Sequence, residues 1–255
     1  MVSQPTGALP GPLRDPRLLV LDFEASLSGF LTPRRPPRLA PALLRVLRSA
    51  ARTNRLVVCS ATGVDVTRRL LKGIRADLIG EHGWELWLAD GHKAVHCVPP
   101  WTQRRLAAAA SDAAAFGWGS LLVRRRCSLA LTTRGLPRER ADFVREMGWR
   151  LWSPRFETDG LRIFDTPDGP ELRAHEHGAR SAVMTLVRLA RTRPAVLFAT
   201  TEDASGKPSP EVTVSDRHDV PTTIEVRLRD HRDLIQFLER GAACLDGSRE
   251  APGTV

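Results

Sequence analysis

Asp22 and Glu24 stand one residue apart directly after Leu18-Leu19-Val20-Leu21, and Ala25 and Ser26 continue the same short polar turn. Four apolar residues in unbroken succession read as a strand buried on both faces, as in a parallel sheet covered by helices. Carboxylates just past the carboxyl end of such a strand sit where open α/β sheets collect ligands. A second apolar run, Arg55-Leu56-Val57-Val58-Cys59, carries Ser60 to the same kind of position. A third, Ala195 to Phe198, runs into Ala199-Thr200-Thr201, with Glu202 and Asp203 immediately behind.

The elements that must position these groups follow from periodicity. Leu43, Leu44, Val46, Leu47 and Ala50 mark an amphipathic helix over about 41–53, placed between the first two strands. A helix from Val64 to Lys72, stopped by Gly73, leads to a short strand over 76–80 and the turn Gly80-Glu81-His82-Gly83. This strand–helix–strand alternation predicts right-handed crossovers in a largely parallel sheet. Between about Leu88 and Pro170 the texture changes to a small α+β block with mostly antiparallel strands. It comprises a helix over 101–116, strands over 121–125 and 128–133, a helix over 137–147, and strands near 149–152 and 161–164. The parallel pattern then resumes with a strand over 171–174, a helix over 178–191 and the strand 195–201. Short strands over 211–214 and 223–227 and a helix over 230–240, capped by Asp230, close the chain.

Composition bounds the partners. The 255 residues, 42% hydrophobic and 26% charged, describe a globular protein with an ordinary core, and no apolar stretch reaches the length of a membrane span. The first residues lack the basic start and apolar centre of a signal peptide, which makes the cytoplasm the expected location. The four cysteines, Cys59, Cys97, Cys127 and Cys244, form no cluster at metal-ligand spacing and read as free thiols, three of them in apolar surroundings. Net charge is +9, yet lysine occurs only at Lys72, Lys93 and Lys207, and arginine is spread along the whole chain. The longest basic run, Arg124-Arg125-Arg126, lacks interleaved aromatics, so a nucleic-acid partner is not expected from it.

Several stretches together resemble the trehalose-6-phosphate phosphatase family of the haloacid dehalogenase-like (HAD) superfamily. Asp22-Phe23-Glu24-Ala25-Ser26 is similar to the superfamily's Asp-x-Asp-Gly-Thr/Val motif. LVVCSATGVDVTRRLL followed by ADLIGEHGWEL resembles the second-motif region, where a serine ends the strand and a GxHG turn follows. CSLALTTRGLP is similar to a cap strand running Ser-x-x-x-His-Tyr-Arg, and VRLRDHRDLIQFLERG to the terminal strand and helix. The likeness spans residues 18 to 240 in order. It implies an α/β fold: a HAD-like, Rossmann-type parallel core over 17–88 and 171–245, with an α+β cap inserted over 89–170. Residues 1–16 and 246–255 are expected to be a disordered leader and tail.

The resemblance also implies roles. Asp22 stands for the nucleophile that forms an aspartyl-phosphate and for a metal ligand, and Glu24 for the general acid and base. Ser26, Ser60 and Arg180 stand for the phosphate-binding groups, and Arg134 and Glu171 for cap residues that hold the sugar. Mg²⁺ would be the cofactor, and trehalose-6-phosphate or a related sugar phosphate the ligand. The departures fall on the chemistry. Glu24 adds a methylene, Ala25 replaces a glycine, and Thr200 and Thr201 stand where the family has metal-binding aspartates. Glu202 and Asp203 would supply carboxylates only if the strand end slipped by two residues. The expectation is therefore a phosphatase-like protein with weak or lost turnover that binds a sugar phosphate or a partner, such as a trehalose-phosphate synthase-like protein. An active Mg²⁺-dependent phosphatase and a basic nucleic-acid-associated protein are the alternatives.

Overall fold

The computed structural model describes residues 18–27, 38–157, 160–166, 168–189, 196–201, 223–228 and 233–239. The expected leader and tail, the strand over 211–214, Asp230, Cys244, Glu202 and Asp203 lie outside them.

A seven-stranded sheet forms the centre. β1 (Leu18–Asp22) is paired in parallel with β2 (Arg55–Cys59) on one side and with β10 (Val196–Thr201) on the other. β3 (Asp77–Gly80) extends the β2 side, and β11 (Thr223–Leu228) extends the β10 side. Two short antiparallel strands, β4 (Glu85–Trp87) and β5 (Lys93–Val95), finish the β3 edge, giving the order β11-β10-β1-β2-β3-β4-β5. The direction in which the chain winds reverses beside β1, which puts Asp22 at the crevice where such sheets bind ligands.

Both faces of β1 are covered, as its unbroken apolar run predicts. Leu19 and Leu21 point into a core with α1 (Pro41–Thr53), whose Leu43, Leu44, Val46, Leu47 and Ala50 are buried. Leu234 and Leu238, on the helical turn over 233–239, join this core. Leu18 and Val20 point the other way, onto Val183, Leu186 and Val187 of α5 (Ala179–Leu189). α2 (Val64–Leu71) connects β2 to β3 and ends on Lys72 and Gly73, both with positive φ.

A second, four-stranded antiparallel sheet has the order β6-β7-β9-β8: β6 (Leu122–Arg124), β7 (Ser128–Leu131), β9 (Gly169–Ala174) and β8 (Leu161–Thr166). α3 (Pro100–Ala115) and α4 (Arg138–Phe156) cover one face. There Leu129, Leu131, Leu161, Ile163 and Leu172 pack with Ala109, Ala113, Val144 and Trp152. The other face carries Ser128, Ala130, Glu171 and Arg173, placed together by the pairings Ser128↔Arg173 and Ala130↔Glu171.

Two sequence expectations differ here. The segment 171–174 was expected to resume the parallel core, but β9 pairs antiparallel with β7 and β8 in the middle of the second sheet. The inserted lobe thus extends four residues beyond 170, and the core runs on through β5. The strand expected near 149–152 is helix instead: α4 continues from Arg138 to Phe156. Val144, Gly148, Trp152 and Phe156 recur every four residues as its buried stripe, so the helix passes through Gly148 rather than stopping there. Gly148 is there for packing, because a Cβ would lie 2.8 Å from Pro170 Cγ. No helix among the described residues is long and apolar enough to cross a membrane.

Candidate active site

Asp22, the last residue of β1, is 3% exposed. The chain then leaves the sheet in a single π-helical turn, Phe23–Leu27, anchored by buried Phe23 and Leu27. This turn aims Glu24 back at the end of β2. Glu24 Oε1 accepts hydrogen bonds from Ser60 Oγ at 2.8 Å and from the Ala61 amide at 3.0 Å. Since Ser60 spends its one hydroxyl hydrogen on Glu24, the 2.8 Å contact with Thr62 Oγ1 is a bond donated by threonine. The Thr62 amide also donates to Ser60 Oγ, at 3.0 Å. Asp22, Glu24 and Ser60, read from the sequence as neighbours in space, are thus at one locus.

From Ser60 the path continues to the turn after β3. The His82 amide donates to the Ser60 carbonyl at 3.2 Å, and the Glu81 amide to the Thr62 carbonyl at 3.1 Å. Glu81, His82 and Gly83 take positive φ values of 49°, 55° and 106° in succession, a costly stretch for non-glycine residues. Gly83 packs directly on the start of α5, where a Cβ would lie 2.5 Å from the Gly178 carbonyl carbon. The turn is therefore fixed by strands, loop and helix together.

The strained turn presents His82 to the second sheet. His82 Nε2 lies 3.0 Å from Glu171 Oε1, which also accepts from Ser128 Oγ at 2.6 Å and Arg125 at 2.6 Å. Arg173 binds Glu171 Oε2 through two nitrogens, at 2.9 and 2.7 Å. Burial pushes the Glu171 carboxyl up. The His82 hydrogen bond and the charges of His82, Arg173 and Arg125 outweigh it and hold the group well below the usual carboxylate range. Beside this cluster, Cys127 donates from Sγ to Glu81 Oε2 at 3.3 Å. Burial, reinforced by the Glu81 charge, pushes its thiol far up, so it is not a nucleophile. Cys59 is buried as well, whereas Cys97 is exposed.

Other sequence-derived residues fall elsewhere. Arg134 is 68% exposed along its side chain, and its Nε is engaged with Asp168 at 2.8 Å, outside the Glu171 cluster. Arg180 lies in the first turn of α5 and Ser26 in the π-turn, but the side chains of both lie outside those described. The sequence reading noted the turn around His82 and the run around Arg125, but it did not join His82, Arg125, Ser128 and Arg173 to Glu171. The signal for His82 was Gly80 and Gly83 bracketing a polar pair, a pattern that marks a tight backbone excursion.

A hard divalent cation takes several oxygen ligands, carboxylates above all. β10 lies beside β1 with Ala199 opposite Leu21, so the next residues on that strand end are Thr200 and Thr201. Thr200 is then the residue level with Asp22, and Thr201 the one after it. Among the described residues no three His, Cys, Asp or Glu side chains converge as metal ligands. Among the described residues these two strand ends offer a Mg²⁺ ion one carboxylate, which fits it poorly.

The fold and the placement of Asp22 define an α/β protein with the architecture of the HAD phosphatases. No protein-family profile and no curated protein matches the sequence. Solved structures do. The trehalose-6-phosphate phosphatase C-terminal domain of Candida albicans superposes with a TM-score of 0.65 at 12% identity, over 89% of this chain and 92% of that one. The C-terminal domain of a Candida albicans trehalose synthase regulatory protein gives 0.59 at 11% identity, over 88% and 94%. A HAD-superfamily phosphatase from Bacteroides thetaiotaomicron gives 0.51 at 11% identity, over 94% and 99%.

Proposed function

We propose that this chain is a trehalose-6-phosphate phosphatase-like protein of the HAD fold in which turnover is weak or lost, and that it works by binding. Its ligand would be a sugar phosphate, held between the core and the inserted cap, and its role regulation of a trehalose-phosphate synthase-like partner. The observation that carries this reading is the position of the Glu24 carboxylate. Ser60 Oγ is a donor that the resemblance assigns to the substrate phosphate, and Glu24 Oε1 sits on it and on the neighbouring Ala61 amide. A carboxylate and a phosphate oxygen make the same charge-assisted hydrogen bonds, so Glu24 occupies the phosphate's place.

Two further features support the reading. Glu171, the expected sugar ligand, has both oxygens engaged by His82, Arg125, Ser128 and Arg173. The same architecture serves a phosphatase and a regulatory protein in Candida albicans. The competing reading, an active Mg²⁺-dependent phosphatase acting through an aspartyl-phosphate on Asp22, is favoured by the retained acid at the end of β1.

Phosphate release from trehalose-6-phosphate with Mg²⁺ separates them. Purified protein is expected to release phosphate no faster than its Asp22→Asn variant. Sustained turnover that EDTA and Asp22→Asn both abolish would overturn the proposal. Glu24→Ala, which frees the Ser60 hydroxyl and Ala61 amide, is expected to tighten trehalose-6-phosphate binding by at least about tenfold, the worth of one hydrogen bond to a charged group.

A further inference from the structure

The second sheet has a basic hollow between α3 and the β6–β7 edge. In the β6–β7 pairing Arg124 stands opposite Leu129, so it shares the face covered by α3. Arg124, Arg125 and Arg126 line one wall of a cavity of about 340 Å³, with Gln103 opposite and Leu106 and Leu129 as part of an aliphatic floor. This volume lies within the range of small-ligand sites, roughly 300–1,000 Å³. Arg124 is exposed and makes no ion pair among the described residues. Arg126 has its Nε and one terminal nitrogen shut off from bulk solvent without a hydrogen-bond acceptor, Glu85 Oε1 standing 3.4 Å from the latter. Arg125 and Arg126 each have a carboxylate partner and Arg124 has none among the described residues, so the run keeps a net positive charge that favours an anion, and the planar forks suit phosphate oxygens.

We propose that this hollow binds a small phosphate monoester: the dianion against Arg124 and Arg126, the organic body on the aliphatic floor. Concavity and the apolar floor favour a small molecule over a polyanion, since no aromatic side chain lines the hollow to stack a base. Arg125 connects the site to the rest of the molecule. Its guanidinium lines the hollow and simultaneously holds Glu171 at 2.6 Å, and Glu171 is the group that meets His82 of the core. An anion that draws Arg125 away from Glu171 loosens one bond of the contact between the two sheets, so occupancy of the hollow is felt at the turn beside Ser60.

The test is calorimetric titration of the full-length protein with phenyl phosphate in EDTA at low ionic strength. Binding is expected, weakened at least tenfold in Arg124→Ala/Arg126→Ala and unchanged in Ser60→Ala. Ala107→Trp, at an exposed position lining the hollow, fills it without touching an arginine and is expected to cause the same loss. Binding that survives the arginine and tryptophan variants but disappears in Ser60→Ala would place the ligand at the Glu24 locus and overturn the proposal. Absence of phenyl phosphate binding would overturn it as well, and salt-sensitive capture of a short DNA oligonucleotide by the same arginines would then identify the surface as one for a polyanion. Neither result depends on whether the protein turns over trehalose-6-phosphate, so this inference and the proposed function fail separately.

Discussion

A single methylene separates Glu24 from the aspartate that the resemblance places there, and it changes what the side chain reaches. The longer arm arrives at Ser60 Oγ and the Ala61 amide. Residue identity announced the carboxylate, but its partner depended on a π-turn that no periodicity encodes. Glu171 is the opposite case: it was expected to face a sugar, yet it is engaged by protein donors, of which only Arg173 is near in sequence and His82, Arg125 and Ser128 lie far off. Because its folded-state pKa lies below its unfolded value, its contribution to stability is complete above about pH 4.5 and drains away as pH falls below that. Glu171→Gln leaves Arg173 and Arg125 without their buried counter-charge and is expected to cost about 3 kcal/mol near neutrality. Denaturant titrations from about pH 6 to about pH 3 should show a shallower loss of stability in the variant than in the parent protein. Equal slopes would mean that Glu171 is not the ionised hub of this cluster.

Among the elements, the three core strands β1, β2 and β10 were legible because continuous apolar runs bounded by polar residues leave little choice. β9 was misplaced for a related reason. A buried strand of four residues looks the same in a parallel and an antiparallel sheet, and only its partners, β7 and β8, distinguish them. α4 was cut short because a glycine read locally is a stop, whereas here it admits Pro170. The turn Glu81–Gly83 could be seen as a turn but not as the contact that seats α5. Gly83→Ala is therefore expected to destabilise by at least about 2 kcal/mol. Gly91→Ala shares a positive φ of 98° but has open space around it, and it should cost less. Chemical denaturation of the two variants measures the difference, which belongs to the α5 contact.

At the scale of the molecule, the two sheets are joined through Trp84. It follows the strained turn of the core, is fully buried, and packs in the same apolar cluster as Trp152, Leu129 and Leu172 of the inserted lobe. Its Nε1 donates to the Ala174 carbonyl at 3.4 Å. Arg126–Glu85, His82–Glu171 and Cys127–Glu81 add polar links across the same junction. Unfolding of the parent protein should be a single transition by both near- and far-ultraviolet circular dichroism. Trp84→Ala is expected to remove about 3–5 kcal/mol and to split that transition in two. A single undivided transition in the variant would mean that the sheets are coupled elsewhere. The sequence outlined an insertion but could not show that a core tryptophan is shared, since burial alone does not name neighbours. The Glu24 arm has a consequence at this scale too. A tethered occupant is present at an effective concentration that free metabolites rarely match. A sugar phosphate arriving at Ser60 must first displace that arm, so the protein would answer to abundance and ignore a trace.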